Sequence, residues 1–208
     1  MAQILKQELR QSIVEAAKEE FLFKGYKRAS MRSIAQKAGM TVGNLYRYYK
    51  NKEELYRSIV QDTLKEIKTI LKNVTSDSVS LEPRVFSMKA NTNELSQLMD
   101  ELADRLVDTY FDHKIEFNIL IQHSSFNQEI ISWFSKAITS LIEQHFLLDS
   151  HKEYRQILSN AYAVAIYSGI REIFMNNNLN SVTLKRIVSI YLNSYIVLLD
   201  SGYSKLSI

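Results

Sequence analysis

An all-α fold is predicted by three features of the sequence. Five Gly and one Pro in 208 residues are too few for the tight turns of a sandwich or barrel. Apolar residues recur at spacings of three and four along the chain, the period of a helix with one face on a core. Apolar residues make up 46% and charged residues 24%, as in globular proteins and unlike disordered or fibrous ones. The length suits one large helical domain or a small domain fused to a larger one. With no Cys, disulfide frameworks, Cys-ligated zinc, iron–sulfur clusters and thiol nucleophiles are excluded, and a reducing cytoplasmic setting is expected.

The first helix is expected from about Leu5 to Phe23, because Leu9, Ile13, Ala16, Ala17 and Phe21 share a face and Gly25 provides a stop. Ser30 caps a short second helix with Ile34, Ala35 and Ala38 inward, and Gly39 permits the sharp turn after it. Thr41 caps a third helix, along which Val42, Leu45 and Tyr49 share one side while Asn44, Arg47 and Tyr48 point elsewhere. The fourth starts after Asn51 with Glu53 and Glu54 in its first turn, where the macrodipole favours acids. Its stripe of Leu55, Ile59, Thr63, Ile67, Ile70 and Leu71 runs to about Asn73. Residues 74–92, rich in Ser and Thr and containing Pro83, read as an irregular connection.

Further helices are expected at about 94–111, 114–124, 127–148, 152–176 and 182–200, separated by polar breaks such as Asp149 to His151 and Asn176 to Asn178. In the last of them, Ile187, Ile190, Tyr191, Tyr195 and Leu198 form one apolar stripe and Val188, Leu192, Ile196 and Leu199 another. A helix apolar on two sides needs two partners, and a second copy of the chain is the expected cover for one. Gly169 costs its helix about 1 kcal/mol relative to Ala and marks a close crossing, within one chain or between two. Gly169, Tyr191, Tyr195 and Leu198 are therefore candidate residues of a homodimer interface.

Residues 1–70 carry 14 Lys and Arg against 8 Asp and Glu, whereas residues 71–208 carry 12 against 15, so the net charge of +3 divides into +6 and −3. A basic N-terminal segment suits a polyanion. Lys6, Glu8 and Arg10 leave no room for the apolar core of an export signal. Ile187 to Leu199 is interrupted by Ser189, Asn193 and Ser194 and is expected to fall short of the roughly 18 to 20 apolar residues that span a bilayer, so no membrane partner is expected. The four His read as surface or satisfied core residues, no Glu-x-x-His pair occurs, and neither a metal nor a cofactor is expected.

A capped short helix, a turn through Ala38, Gly39 and Met40, and a second short helix make a helix-turn-helix, a unit that lays its second helix in a DNA major groove. Lys24, Lys27, Arg28, Arg32, Lys37, Arg47, Lys50 and Lys52 supply cations for phosphates, and no acid interrupts Phe21 to Asn51. An ordinary solvated hairpin would mix its signs. Tyr46, Tyr48 and Tyr49 add aromatic bodies with hydroxyl tips.

These residues resemble the TetR family of bacterial transcription regulators. The pattern is carried by Ser30, Ile34-Ala35, Ala38-Gly39, Thr41, Gly43, Leu45-Tyr46, Tyr48-Tyr49, and Lys52 with Leu55, and it covers about residues 8–60. Met31, Met40 and Tyr49 depart from it, standing where Thr or Val, Val and Phe are usual. The resemblance implies a DNA-binding domain over residues 1–52 and a helical effector-binding and dimerisation domain over 53–208. By position, Ser30 would hydrogen-bond a phosphate and Arg32 reach a base edge or phosphate. Thr41, Val42, Gly43 and Asn44 would face bases, Tyr46 would stand at the groove wall, Tyr48 at the backbone, and Lys52 would donate to a phosphate. It also implies a cavity for a small effector, for which Tyr110, Phe111, Phe117, Trp133, Phe134, Tyr162 and Tyr167 are candidate lining residues and His113, Glu116 and His123 candidate polar contacts.

The expected function is that of a homodimeric repressor on a palindromic double-stranded operator whose half-sites lie about 34 Å apart, released by a small molecule. A DNA-bound scaffold that recruits a protein partner is the alternative. A helical-bundle enzyme is disfavoured, because the sequence offers no nucleophile–base pattern and no phosphate-cradling glycine loop.

Overall fold

The computed structural model describes residues 2–77, 92–122, 124–145, 152–175 and 178–204. Among these, nine helices occur and no strand: α1 (Ala2–Arg28), α2 (Met31–Lys37), α3 (Val42–Tyr46), α4 (Lys52–Asp77), α5 (Thr92–Asp112), α6 (Lys114–Ile121), α7 (Ser124–His145), α8 (Lys152–Met175) and α9 (Ser181–Ser204). The all-α expectation holds. Residues 74–77, expected in the irregular connection, extend α4, and Thr92 already belongs to α5. The rest of that connection, the break at Asp149 to His151, Asn176 and Asn177, and His123 lie outside the described residues.

The chain packs as two compact units, Met1–Lys65 with His113–Phe126, and Glu66–Asp112 with Asn127–Ile208. Packing thus divides the chain inside α4 and returns a later segment to the first unit, a different cut from one at residue 52.

In the first unit the predicted helix stop is a kink. Gly25 has φ 69° and ψ 161°, a conformation open in practice to Gly alone, and α1 resumes for only one turn beyond it. The core joins Ile13, Ala17 and Phe21 of α1 to Ile34 of α2, Leu45 of α3, Leu55 and Tyr56 of α4 and Leu120 of α6, all buried. Phe21, Tyr26 and Tyr56 pack ring on ring at centroid distances of 5.1–5.8 Å. Tyr56 spends its hydroxyl on the Ile119 carbonyl at 3.2 Å, and Lys18 pairs with Glu116 at 2.7 Å, so α6 is held by polar as well as apolar contacts.

In the second unit α5 packs along α9. Leu184, Val188, Leu192 and Ile196 are the buried stripe of α9, facing a core that includes Leu95, Leu102 and Leu106 of α5. Lys185 pairs with Asp108 at 2.8 Å, and Asn193 donates to Asp100 at 2.9 Å, fixing the register of the two helices. One expectation is corrected here. Taken from Ser181 rather than Ile187, the stretch to Leu199 is long and apolar enough to cross a membrane by length and composition, although its Lys185, Ser189 and Asn193 are engaged by α5.

Candidate nucleic-acid interface

The helix-turn-helix is built from local hydrogen bonds that its sequence supplies. Ser30 Oγ accepts from the Ser33 amide at 3.1 Å and starts α2. At the other end the Met40 amide reaches the Ala35 carbonyl at 3.0 Å and the Gly39 amide the Gln36 carbonyl at 3.1 Å, with Gly39 at φ 68°. This pair of bonds around a left-handed residue is the Schellman motif, and it sets the angle at which the chain leaves α2. Thr41 Oγ1 then accepts from the Asn44 amide at 3.2 Å and opens α3. Asn51 caps α4 by accepting from the Glu54 amide at 2.7 Å, while Glu54 reaches back to the Lys50 amide at 2.7 Å.

These caps leave chemistry over. Ser30 and Thr41 use their oxygens as acceptors and keep their hydroxyl hydrogens for an outside acceptor, and both side chains are exposed. Arg32 is exposed, Tyr46 is 49% exposed, and Val42, Asn44 and Tyr48 are half-buried on the same hairpin. Gly43 is exposed, helical, and would meet nothing within 4 Å if given a Cβ. Among the described residues, no contact therefore calls for glycine at that position.

The basic residues separate into two groups. Lys24 and Lys37 lie 2.7 and 3.3 Å from the two carboxylate oxygens of Glu20, which has no exposed surface. Burial alone would push that carboxyl up, but the hydrogen bond from Lys24 and the nearby Ser33 and Lys37 outweigh it and hold the pKa below the ordinary glutamate value. Lys37 thus ties α2 to α1, and Lys24 does so by donating to Ser33 Oγ at 3.3 Å. Lys52 is likewise engaged: its ammonium donates to the carbonyls of Tyr26 at 2.7 Å and Ala29 at 2.9 Å and lies 4.3 Å from the centre of the Tyr26 ring. It closes the end of α1, and burial pushes its pKa down. The exposed cations Lys27, Arg28, Arg32, Arg47 and Lys50 have no ion pair among the described residues. The tether of Lys24 was legible as an i,i+4 pair with Glu20; that of Lys37, from another helix, was not.

Tyr49 and Met31, which depart from the family pattern, are core residues; Arg10 donates to the Tyr49 hydroxyl at 3.2 Å and lies over its ring.

Of the seven expected effector residues, Phe134 lines a cavity within the second unit, together with Leu71, Met99, Ile138, Leu192 and Tyr195 among others. Tyr110 is core packing against Phe174, Phe111 is partly exposed, and Trp133 is half-buried under the Lys68 ammonium. Tyr162 packs edge-on to Tyr195, and buried Tyr167 bonds Asn127. Phe117 and Glu116 belong to the first unit, the one buried and the other paired with Lys18, and His113 opens α6 there without a side-chain cap. The aliphatic lining was invisible to a search for aromatics.

The dimer candidates differ in what they touch within one chain. Gly169 faces Tyr191 of the same chain, so close that a Cβ would collide with its hydroxyl and ring. Tyr191 donates to the Ala165 carbonyl at 2.7 Å and lies 2.9 Å from the Tyr195 hydroxyl, and Tyr195 turns toward the cavity. Of these four only Leu198, 54% exposed, has its surface outward, and Val182, Ile190 and Val197 of the same helix are exposed at 62–79%.

Residues 13–59 match the model of bacterial regulatory proteins of the tetR family. The chain is 31% identical over 111 residues to the probable HTH-type transcriptional regulator ArpR of Pseudomonas putida, covering 53% of this chain and 52% of that protein. It is 30% identical over 111 residues to the HTH-type transcriptional regulator TtgR, also of Pseudomonas putida, with the same coverage. The match thus spans about half the length of these curated relatives. In fold, the chain is similar to NalD, the secondary repressor of the MexAB-OprM multidrug efflux pump in Pseudomonas aeruginosa, with a TM-score of 0.59 at 20% identity over 90% of this chain and 94% of that one.

Proposed function

We propose that this chain, which belongs to the tetR family of bacterial regulatory proteins, is a cytoplasmic DNA-binding transcriptional regulator that acts as a homodimeric repressor of a palindromic operator and leaves it when a small molecule occupies the second unit. The observation that carries the DNA reading is Gly43. A helical glycine costs about 1 kcal/mol against alanine, and the protein's own packing gives no reason to bear it. Close approach of another backbone or a base edge does give one. Thr41, Val42, Gly43 and Asn44 then read bases, while Ser30, Tyr48 and the exposed cations, Arg32 and Lys50 among them, hold phosphates.

Release needs only a difference of a few kcal/mol in effector affinity between the two head spacings. The outward apolar residues of α9 suit a second copy of the chain.

Selection of bound duplexes from a random pool at near-physiological salt tests the reading. A two-fold-symmetric consensus is expected, and Thr41→Ala should weaken the selected site by about 1–3 kcal/mol while sparing random DNA. Enrichment of no sequence, or equal losses on both DNAs, would sink it.

A further inference from the structure

We infer that the cavity of the second unit binds a small, uncharged molecule of hydrocarbon character. This deepens the effector reading above and rests on that reading only for its consequence on DNA.

The lining is contributed by α4, α5, α7, α8 and α9 and exposes apolar surface alone. Leu71, Met99, Leu102, Phe134, Ile138 and Ile166 present no polar side-chain atom apart from a thioether sulfur. Tyr195 carries the one hydroxyl of the lining, and it is already shared with Tyr191. A water in such a space would lack the two to four partners it needs, so a water-filled cavity is disfavoured. A carboxylate or ammonium would lose its hydration without an opposite charge to replace it, and a hydroxyl would lose its hydrogen bonds. The chemistry of the wall therefore selects by exclusion.

Size narrows the class. About 60 Å³ is free, against roughly 150 Å³ in an engineered apolar cavity that takes up benzene. A single ring enters only if a wall gives way. Met99, unbranched and buried, is the side chain able to do so. It also supplies a reporter: of the six Met it is the one in the cavity lining, whereas Met31 and Met40 lie in the first unit and Met175 is 40% exposed.

The full chain labelled with methyl-13C methionine, titrated with toluene and separately with benzoate and phenol, tests the inference. Toluene should shift the Met99 methyl resonance saturably and leave Met31 and Met40 in place. Benzoate should leave all three, and phenol should bind more weakly than toluene. Ala137→Phe, which fills the cavity, should weaken toluene by about tenfold or more. If that variant fails to fold, the wild-type titration still decides.

A Met99 resonance that ignores toluene, or moves as readily with benzoate, overturns the inference. No DNA is present, so its failure is distinct from failure of the DNA reading. Toluene binding that leaves the operator complex intact would keep this site and remove its role in release.

Discussion

A carboxylate with no exposed surface has to be compensated, and Glu20 is compensated by two lysines that a simple count assigns to DNA. Glu20→Gln should cost about 1.5–3 kcal/mol at neutral pH, the range for a hydrogen bond to a charged group. The folded pKa lies below the unfolded one, so this contribution is present above the ordinary glutamate value and is lost as pH falls through the folded pKa. Thermal unfolding of wild type and variant should therefore converge in acid; a gap that stays constant with pH would refute the electrostatic account. Lys50 and Lys52, two residues apart, should also behave differently. Lys50→Ala, at an exposed cation, should flatten the salt dependence of DNA binding by about one unit with little change in stability. Lys52→Met removes the donor that closes α1 and should cost about 1–2 kcal/mol of stability before any effect on DNA. Urea titration beside DNA titration at several salts separates the two, and equal behaviour would show that Lys52 is a phosphate ligand after all.

At the scale of the element, three glycines answer to three different constraints. Gly39 holds a left-handed conformation inside the Schellman turn, so Gly39→Ala should destabilise the first unit by about 1–2 kcal/mol. Gly43 is helical with open space around it, so Gly43→Ala should leave stability unchanged or raise it by up to about 1 kcal/mol while weakening specific DNA binding. If Gly43→Ala unfolds the protein instead, the argument from empty space is wrong. Gly169 is small because the Tyr191 ring occupies the place of a side chain. Sequence showed that each position was unusual, but only Gly39 had a local reason that its neighbours revealed.

For the whole molecule, the proposed dimer rests on what α9 leaves uncovered. Its inward stripe of Leu184, Val188, Leu192 and Ile196 is buried within one chain, whereas Ile190, Val197 and Leu198 are not. Val197→Glu should yield monomers in sedimentation with the fold of each chain intact by circular dichroism, since the side chain is 65% exposed. An unchanged dimer would place the interface elsewhere. In the proposed assembly, dimerisation would supply the second head for a two-fold operator, so the monomeric variant should lose affinity for the selected site far more than for a single half-site.

The helical class, the order of the helices and the hairpin from Ser30 to Tyr49 were legible in the sequence, because caps, turns and amphipathic stripes are written within a few residues of where they act. Ser30, Gly39, Thr41 and Asn51 do in the structure what their spacing predicts. Which cations are spent, which aromatics are core and where the cavity lies came from tertiary contacts instead. Glu20 meets Lys37 across 17 positions, Gly169 meets Tyr191 across 22, and the cavity wall draws on five helices between Leu71 and Leu199. Those pairings depend on how faces meet after the helices have formed, and an aliphatic residue beside a void carries the same periodicity as one beside a neighbour.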